Sequence, residues 1–131
     1  ALGGDVRKSE KGWGLGRHVY GVTARPGFLG GNLPEFAIAC SHQDQVIVPP
    51  TDAEVFLASD FTPNAGLLYR NGRAMSLQAH PEFADDYTIA LAELRRGKVP
   101  DDVIDTAKRS VSRRSDSGEM ADYLAAFLRR I

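Results

Sequence analysis

Apolar positions along this chain follow two different periods, and the change falls near residue 83. Before it they alternate or form short blocks, as in strands; after it they recur every three to four residues, as in helices. Val6 sits in a short polar-flanked strand, and Arg17-His18-Val19-Tyr20-Gly21-Val22 is β-prone. Phe36-Ala37-Ile38-Ala39-Cys40 is a continuous apolar run, which predicts a strand inside a sheet covered on both faces. Residues 53–59 predict another strand. Leu67-Leu68-Tyr69-Arg70 and Arg73-Ala74-Met75-Ser76-Leu77-Gln78 flank Asn71-Gly72, a hairpin signal because both turn positions need positive φ. Beyond Phe83, Tyr87, Ala90, Leu91 and Leu94 form one helical stripe closed by Gly97. Val103, Ile104, Ala107 and Val111 form a second, opened by Pro100 and Asp101. Met120, Tyr123, Leu124, Phe127, Leu128 and Ile131 form a third, with Asp116 and Glu119 spaced as a capping box. All three stripes are expected to face the core. At the other end, Ala1-Leu2-Gly3-Gly4 reads as the end of a helix, so a processed or truncated chain is expected.

Composition narrows the class. With 131 residues, 43% apolar and 25% charged, the chain is one soluble globular domain's worth. A formal net charge of −1 argues against a nucleic-acid partner, since phosphate neutralisation wants a basic face. No apolar run approaches the roughly 20 residues of a membrane span, so no membrane partner is expected. A single cysteine permits no internal disulfide and fits a reducing cytoplasm, where the chain is expected to reside. The glycines of Gly12-Trp13-Gly14-Leu15-Gly16 lead into a strand, whereas a phosphate cradle needs them before a helix N-terminus.

Candidate chemistry lies at the end of the hairpin, in Gln78-Ala79-His80-Pro81-Glu82-Phe83. Proline keeps its neighbourhood extended, so His80 and Glu82, two apart, can share a face. A carboxylate oxygen can then hold the Nδ1–H of His80 and leave Nε2 free for proton transfer. A strand-ending turn whose side chains merely satisfy each other fits the same spacing. Ser41-His42-Gln43-Asp44, directly after the buried strand, lies where an open α/β sheet places ligands. Cys40, in that strand, reads as a packing residue.

Taken together, Gly12-Trp13-Gly14, Ser41-His42-Gln43-Asp44 and Gln78-Ala79-His80-Pro81-Glu82-Phe83 resemble the C-terminal portion of a class I, triad-type glutamine amidotransferase domain. The resemblance is to the stand-alone members similar to the amidotransferase domain of GMP synthase. It implies a flavodoxin-like α/β fold, with a mixed sheet, a β-hairpin and C-terminal helices, and residues 1–131 as one part of a single domain. It implies that a Cys-His-Glu triad hydrolyses glutamine without a cofactor, with His80 and Glu82 as catalytic residues. Ser41, His42, Gln43 and Asp44 would hold the amino-acid end of glutamine, and an ammonia-accepting synthase would be the partner. The family's Gly-x-Cys-x-Gly nucleophile elbow is missing from this sequence, so the chain alone is expected to be inactive and to expose surface through which it could pair as a homodimer. Three other readings stay open: a non-catalytic binding module on the same scaffold, a γ-glutamyl peptide hydrolase, and a metal-dependent hydrolase using His42, Asp44, His80 and Glu82.

Overall fold

The structure is a computed structural model that describes residues 2–130, Arg70 by its backbone alone. Among the described residues seven strands come first: β1 (Asp5–Lys8), β2 (Gly14–Val22), β3 (Glu35–His42), β4 (Asp44–Val48), β5 (Glu54–Ala58), β6 (Gly66–Tyr69) and β7 (Ala74–Leu77). Three helices follow: α1 (Asp85–Leu94), α2 (Asp101–Ser110) and α3 (Ser117–Leu128). The change of period at residue 83 is therefore the boundary between sheet and helices. Five strands form one antiparallel sheet in the order β3-β2-β5-β6-β7, and β1 pairs with β4 in a separate ribbon.

Side chains alternate along a strand, so Leu15 and Tyr20 of β2 face opposite sides of the sheet. Leu15 packs with Ala92 of α1, Ile104 and Ala107 of α2, and Val99 between them. Tyr20 packs with Phe36, Ile38, Phe56, and Met120 and Phe127 of α3. Helices thus cover both faces of the sheet and give two cores.

Glycine is required where β2 meets α2. Gly16 has φ of 84°, and a Cβ there would lie 2.5 Å from Ser110 Oγ and 2.6 Å from the Ala107 carbonyl oxygen. Gly16 thus lets helix and strand close on each other, while a Cβ at Gly14 would meet Phe61 and His42.

The hairpin forms between β6 and β7. Asn71 and Gly72 have φ of 55° and 86°, as the Asn-Gly signal requires. Arg73 N–H donates to the Tyr69 carbonyl at 3.0 Å, closing a four-residue loop.

Several expectations are corrected. β3 is buried from Phe36 to Cys40, yet it is the outermost strand of the sheet among the described residues. Its outer edge is satisfied by other segments. Asp116 Oδ2 accepts from Ala37 N–H at 2.9 Å, Asp116 N–H donates to the Ala37 carbonyl at 2.9 Å, and His80 N–H donates to the Ala39 carbonyl at 2.8 Å. Having bonded β3, the Asp116 carboxylate makes no cap to α3, and the capping box does not form. The α1 stripe turns outward: Tyr87 and Leu94 are 50% and 66% exposed, while Thr88 and Ala92 are the buried residues. Thr88 enters the core because its hydroxyl donates to the Ala84 carbonyl one turn back. In the third stripe Met120 and Phe127 are buried, Leu128 is exposed, and Ile131 lies outside the described residues. Gly3 has the positive φ expected of a helix-ending glycine, but no helix precedes it among the described residues, and Ala1 lies outside them.

Candidate active site

Two backbone paths converge at the outer edge of β3. β7 ends at Leu77, and the following residues cross to β3, where His80 N–H bonds Ala39. This places His80 two residues from Ser41 across a single hydrogen bond. Directly beyond it the chain turns at Pro81, with Phe83 N–H donating to the His80 carbonyl at 3.2 Å, and then enters α1. Arg17 fastens the arrangement from behind: its guanidinium, 3% exposed, donates to Asp85 at the start of α1 and to the Val111 and Arg113 carbonyls after α2.

Within this turn the His80 Nδ1 lies 2.8 Å from Glu82 Oε1. Burial would raise the Glu82 carboxyl, but the hydrogen bond from His80 and their charge attraction outweigh it, and the group is held below its ordinary value. An ionised carboxylate only accepts, so Nδ1 carries a proton, and in the neutral imidazole Nε2 holds the lone pair. The imidazole is also stacked on Phe83, with ring centroids 4.2 Å apart and planes 3° from parallel, and Tyr87 meets Phe83 edge-on at 4.8 Å. Sequence reasoning missed this contact, because three-residue spacing in a turn carries no signal of stacking.

The Ser41–Asp44 segment is split between roles. His42 is buried, with Nδ1 3.2 Å from the Asp44 carbonyl oxygen and Nε2 without a partner. Burial pushes its imidazole below the ordinary histidine range, and the nearby charge of His80 adds to this. Ser41 is half-buried beside the His80 crossing. Gln43 uses its carbonyl to accept from Ser9 N–H, tying the β3–β4 turn to the end of β1, and Asp44 is exposed, opposite Lys8 in the β1–β4 ribbon. The four residues expected to bind a ligand therefore include one, His42, that points into the protein. His42, Asp44, His80 and Glu82 do not assemble as ligands, and among the described residues no group of three or more His, Cys, Asp or Glu could hold a metal. Cys40 is 1% exposed, and burial pushes its thiol up to about 12, an inert packing residue.

No family model matches the chain. It is 31% identical, over 126 residues, to the glutamine-hydrolyzing GMP synthase of Thermus thermophilus, a match that covers 87% of this chain. The same match covers 24% of the relative, so the chain spans about a quarter of its length. Among solved structures, a glutamine amidotransferase from Thermotoga maritima superposes with a TM-score of 0.68 at 22% identity, covering 98% of this chain and 55% of that one. The chain is thus similar in sequence to part of a glutamine-hydrolyzing GMP synthase, and its fold is that of a glutamine amidotransferase structure. A second amidotransferase structure, from Methylobacillus flagellatus, has a TM-score of 0.72 at 14% identity and covers 98% of this chain and 56% of the other. The α/β amidotransferase fold expected from the sequence is thus the fold observed, with antiparallel strand pairs among the described residues where a mixed sheet was expected. Among the described residues, no helix is long and apolar enough to cross a membrane.

Proposed function

We propose that this chain carries the acid–base half of a glutamine-hydrolysing site, with His80 as general acid and base and Glu82 as the carboxylate that orients it. The observation that carries the proposal is the 2.8 Å contact between His80 Nδ1 and Glu82 Oε1, set by a backbone hydrogen bond beside Ser41. In this reading a cysteine thiolate attacks the side-chain amide carbon of glutamine. His80 Nε2, having taken the proton of the cysteine thiol, gives it to the departing ammonia, then takes one from the water that cleaves the glutamyl thioester and returns it to the departing thiolate. Atoms balance as glutamine plus water giving glutamate plus ammonia.

The nucleophile comes from a segment outside this sequence. Cys40 is buried with a raised pKa, lies in no Gly-x-Cys-x-Gly turn, and has no adjacent elbow amides to stabilise a tetrahedral oxyanion. Residues 1–131 are then one part of a single amidotransferase domain, inactive alone. Ser41, Gln43 and Asp44 present backbone and polar groups to the amino-acid end of glutamine, while His42 supports that turn from beneath. An ammonia-accepting synthase is the partner this chemistry calls for, in the cytoplasm, with no cofactor in the hydrolytic step.

The test is ammonia release from glutamine by a protein containing both this chain and a Gly-x-Cys-x-Gly segment. His80→Ala should reduce kcat by at least about 100-fold, the usual scale of general acid–base catalysis. Glu82→Gln should reduce it less, with KM little changed. Full activity in His80→Ala would sink the assignment; glutamine binding without ammonia release in the unaltered protein would make the chain a binding module instead.

A further inference from the structure

Building on the reading of His80 as the acid–base group, we propose that Phe83 is a positioning residue that holds the His80 imidazole in its reactive orientation, with Tyr87 as its brace. Failure of that reading would leave the structural part of this proposal intact, because the two are measured separately.

The Glu82 hydrogen bond alone is a weak clamp. Its carboxylate is 64% exposed and the His80 side chain 37% exposed, so water competes for both partners. One hydrogen bond also leaves the ring free to tilt about the Nδ1–Oε1 line. Phe83 removes that freedom by lying flat against the imidazole, centroids 4.2 Å apart and planes within 3°. Phe83 is in turn fixed by Tyr87, edge-on at 4.8 Å and one turn into α1, and α1 is pinned at Asp85 by the buried Arg17. Face and edge restraints act along different directions, so together they define where Nε2 points. The chain of contacts also explains why a large aromatic side chain sits half-exposed on the outward face of α1: Tyr87 buttresses the ring that touches His80. An imidazole that must first give and then accept a proton gains from a fixed Nε2 direction, because both transfers require the same alignment.

Nitrogen-detected NMR of the imidazoles in the 131-residue chain tests the clamp without any turnover. Above the imidazole titration, unaltered His80 should be mainly the Nδ1–H tautomer bonded to Glu82. Phe83→Leu should move it to a mixture, and Phe83→Tyr, which keeps the ring, should restore the original ratio. Should Phe83→Leu fail to fold, Tyr87→Ala removes only the brace and should shift the ratio in the same direction. In the glutamine-hydrolysing protein, Phe83→Leu should lower kcat by roughly five- to tenfold, the scale of one lost aromatic contact, with KM within about twofold of its original value. Phe83→Tyr should recover most of that loss. An unchanged tautomer ratio in Phe83→Leu or Tyr87→Ala overturns the proposal, as does a Phe83→Tyr protein no better than Phe83→Leu. Absence of ammonia release from the unaltered protein would instead strike the acid–base reading, leaving the tautomer result to decide the clamp.

Discussion

The Cys40 thiol is kept from reaction by its place on β3. It is 1% exposed, beside the buried Tyr20 hydroxyl, and its pKa rises to about 12, so almost no thiolate exists near neutrality. Iodoacetamide at about pH 8, below the ordinary cysteine value, should leave the native chain unlabelled and modify it fully in denaturant, read by intact mass. Stoichiometric labelling of native protein would mean that Cys40 is accessible and ionised, and the nucleophile argument would fall with it. This residue was legible from sequence because it closes a run of five apolar positions, the mark of a strand covered on both faces. The partners of His80 were legible only in part. Glu82 follows from spacing around a proline, whereas the Phe83 stack depends on a turn geometry that residue types do not encode.

Strand β3 shows how an element can be recognised correctly and placed wrongly. A continuous apolar run reports that both faces are covered, and α1 and α3 do contact β3. It does not report whether both edges are paired, because edge partners bond backbone, which every residue type supplies. Here Asp116 and His80 satisfy the outer edge. The same limit explains α3: Asp116 with Glu119 looks like a capping box, but its carboxylate reaches a partner 79 positions away. Asp116→Ala should therefore destabilise the chain by about 1–3 kcal/mol, the cost of orphaning a partly buried backbone donor. Asp116→Asn, which keeps an acceptor oxygen, should cost less; urea denaturation of the two variants measures the difference. Equal losses would show that the residue matters as a charge near α3 and not as the acceptor for Ala37. The α1 stripe failed for a related reason. Periodicity identified a helix, but Tyr87 and Leu94 point outward while Thr88 and Ala92 pack inward, since small residues let the helix lie close to the sheet.

For the molecule as a whole, the placement of its ionisable groups sets the pH range over which it is most stable. His18 and His42 are both pushed below the ordinary value of 6.5, first by burial and, for His18, next by its neighbour His42. Between their lowered folded values and 6.5 the unfolded chain binds protons that the folded chain refuses, so stability falls as pH drops through this window. Cys40 works in the opposite sense. Its thiol rises from 9.0 to about 12 on folding, so its contribution is complete below pH 9 and is lost as pH climbs toward 12. Tyr20, also raised by burial, extends the alkaline loss. The melting temperature should therefore peak between about pH 7 and pH 9 and decline on both sides. The variants separate the limbs: a His18→Gln, His42→Gln double substitution should flatten the acid decline and spare the alkaline one, whereas Cys40→Ala should soften only the alkaline one. His42→Gln also tests the candidate site, since its Nε2 has no partner and its ring sits beside Phe61 and under the Ser41 turn. An acid limb unchanged by the double substitution would show that exposed carboxylates, not these two imidazoles, govern it, and that His42 sits more openly to water than its burial implies.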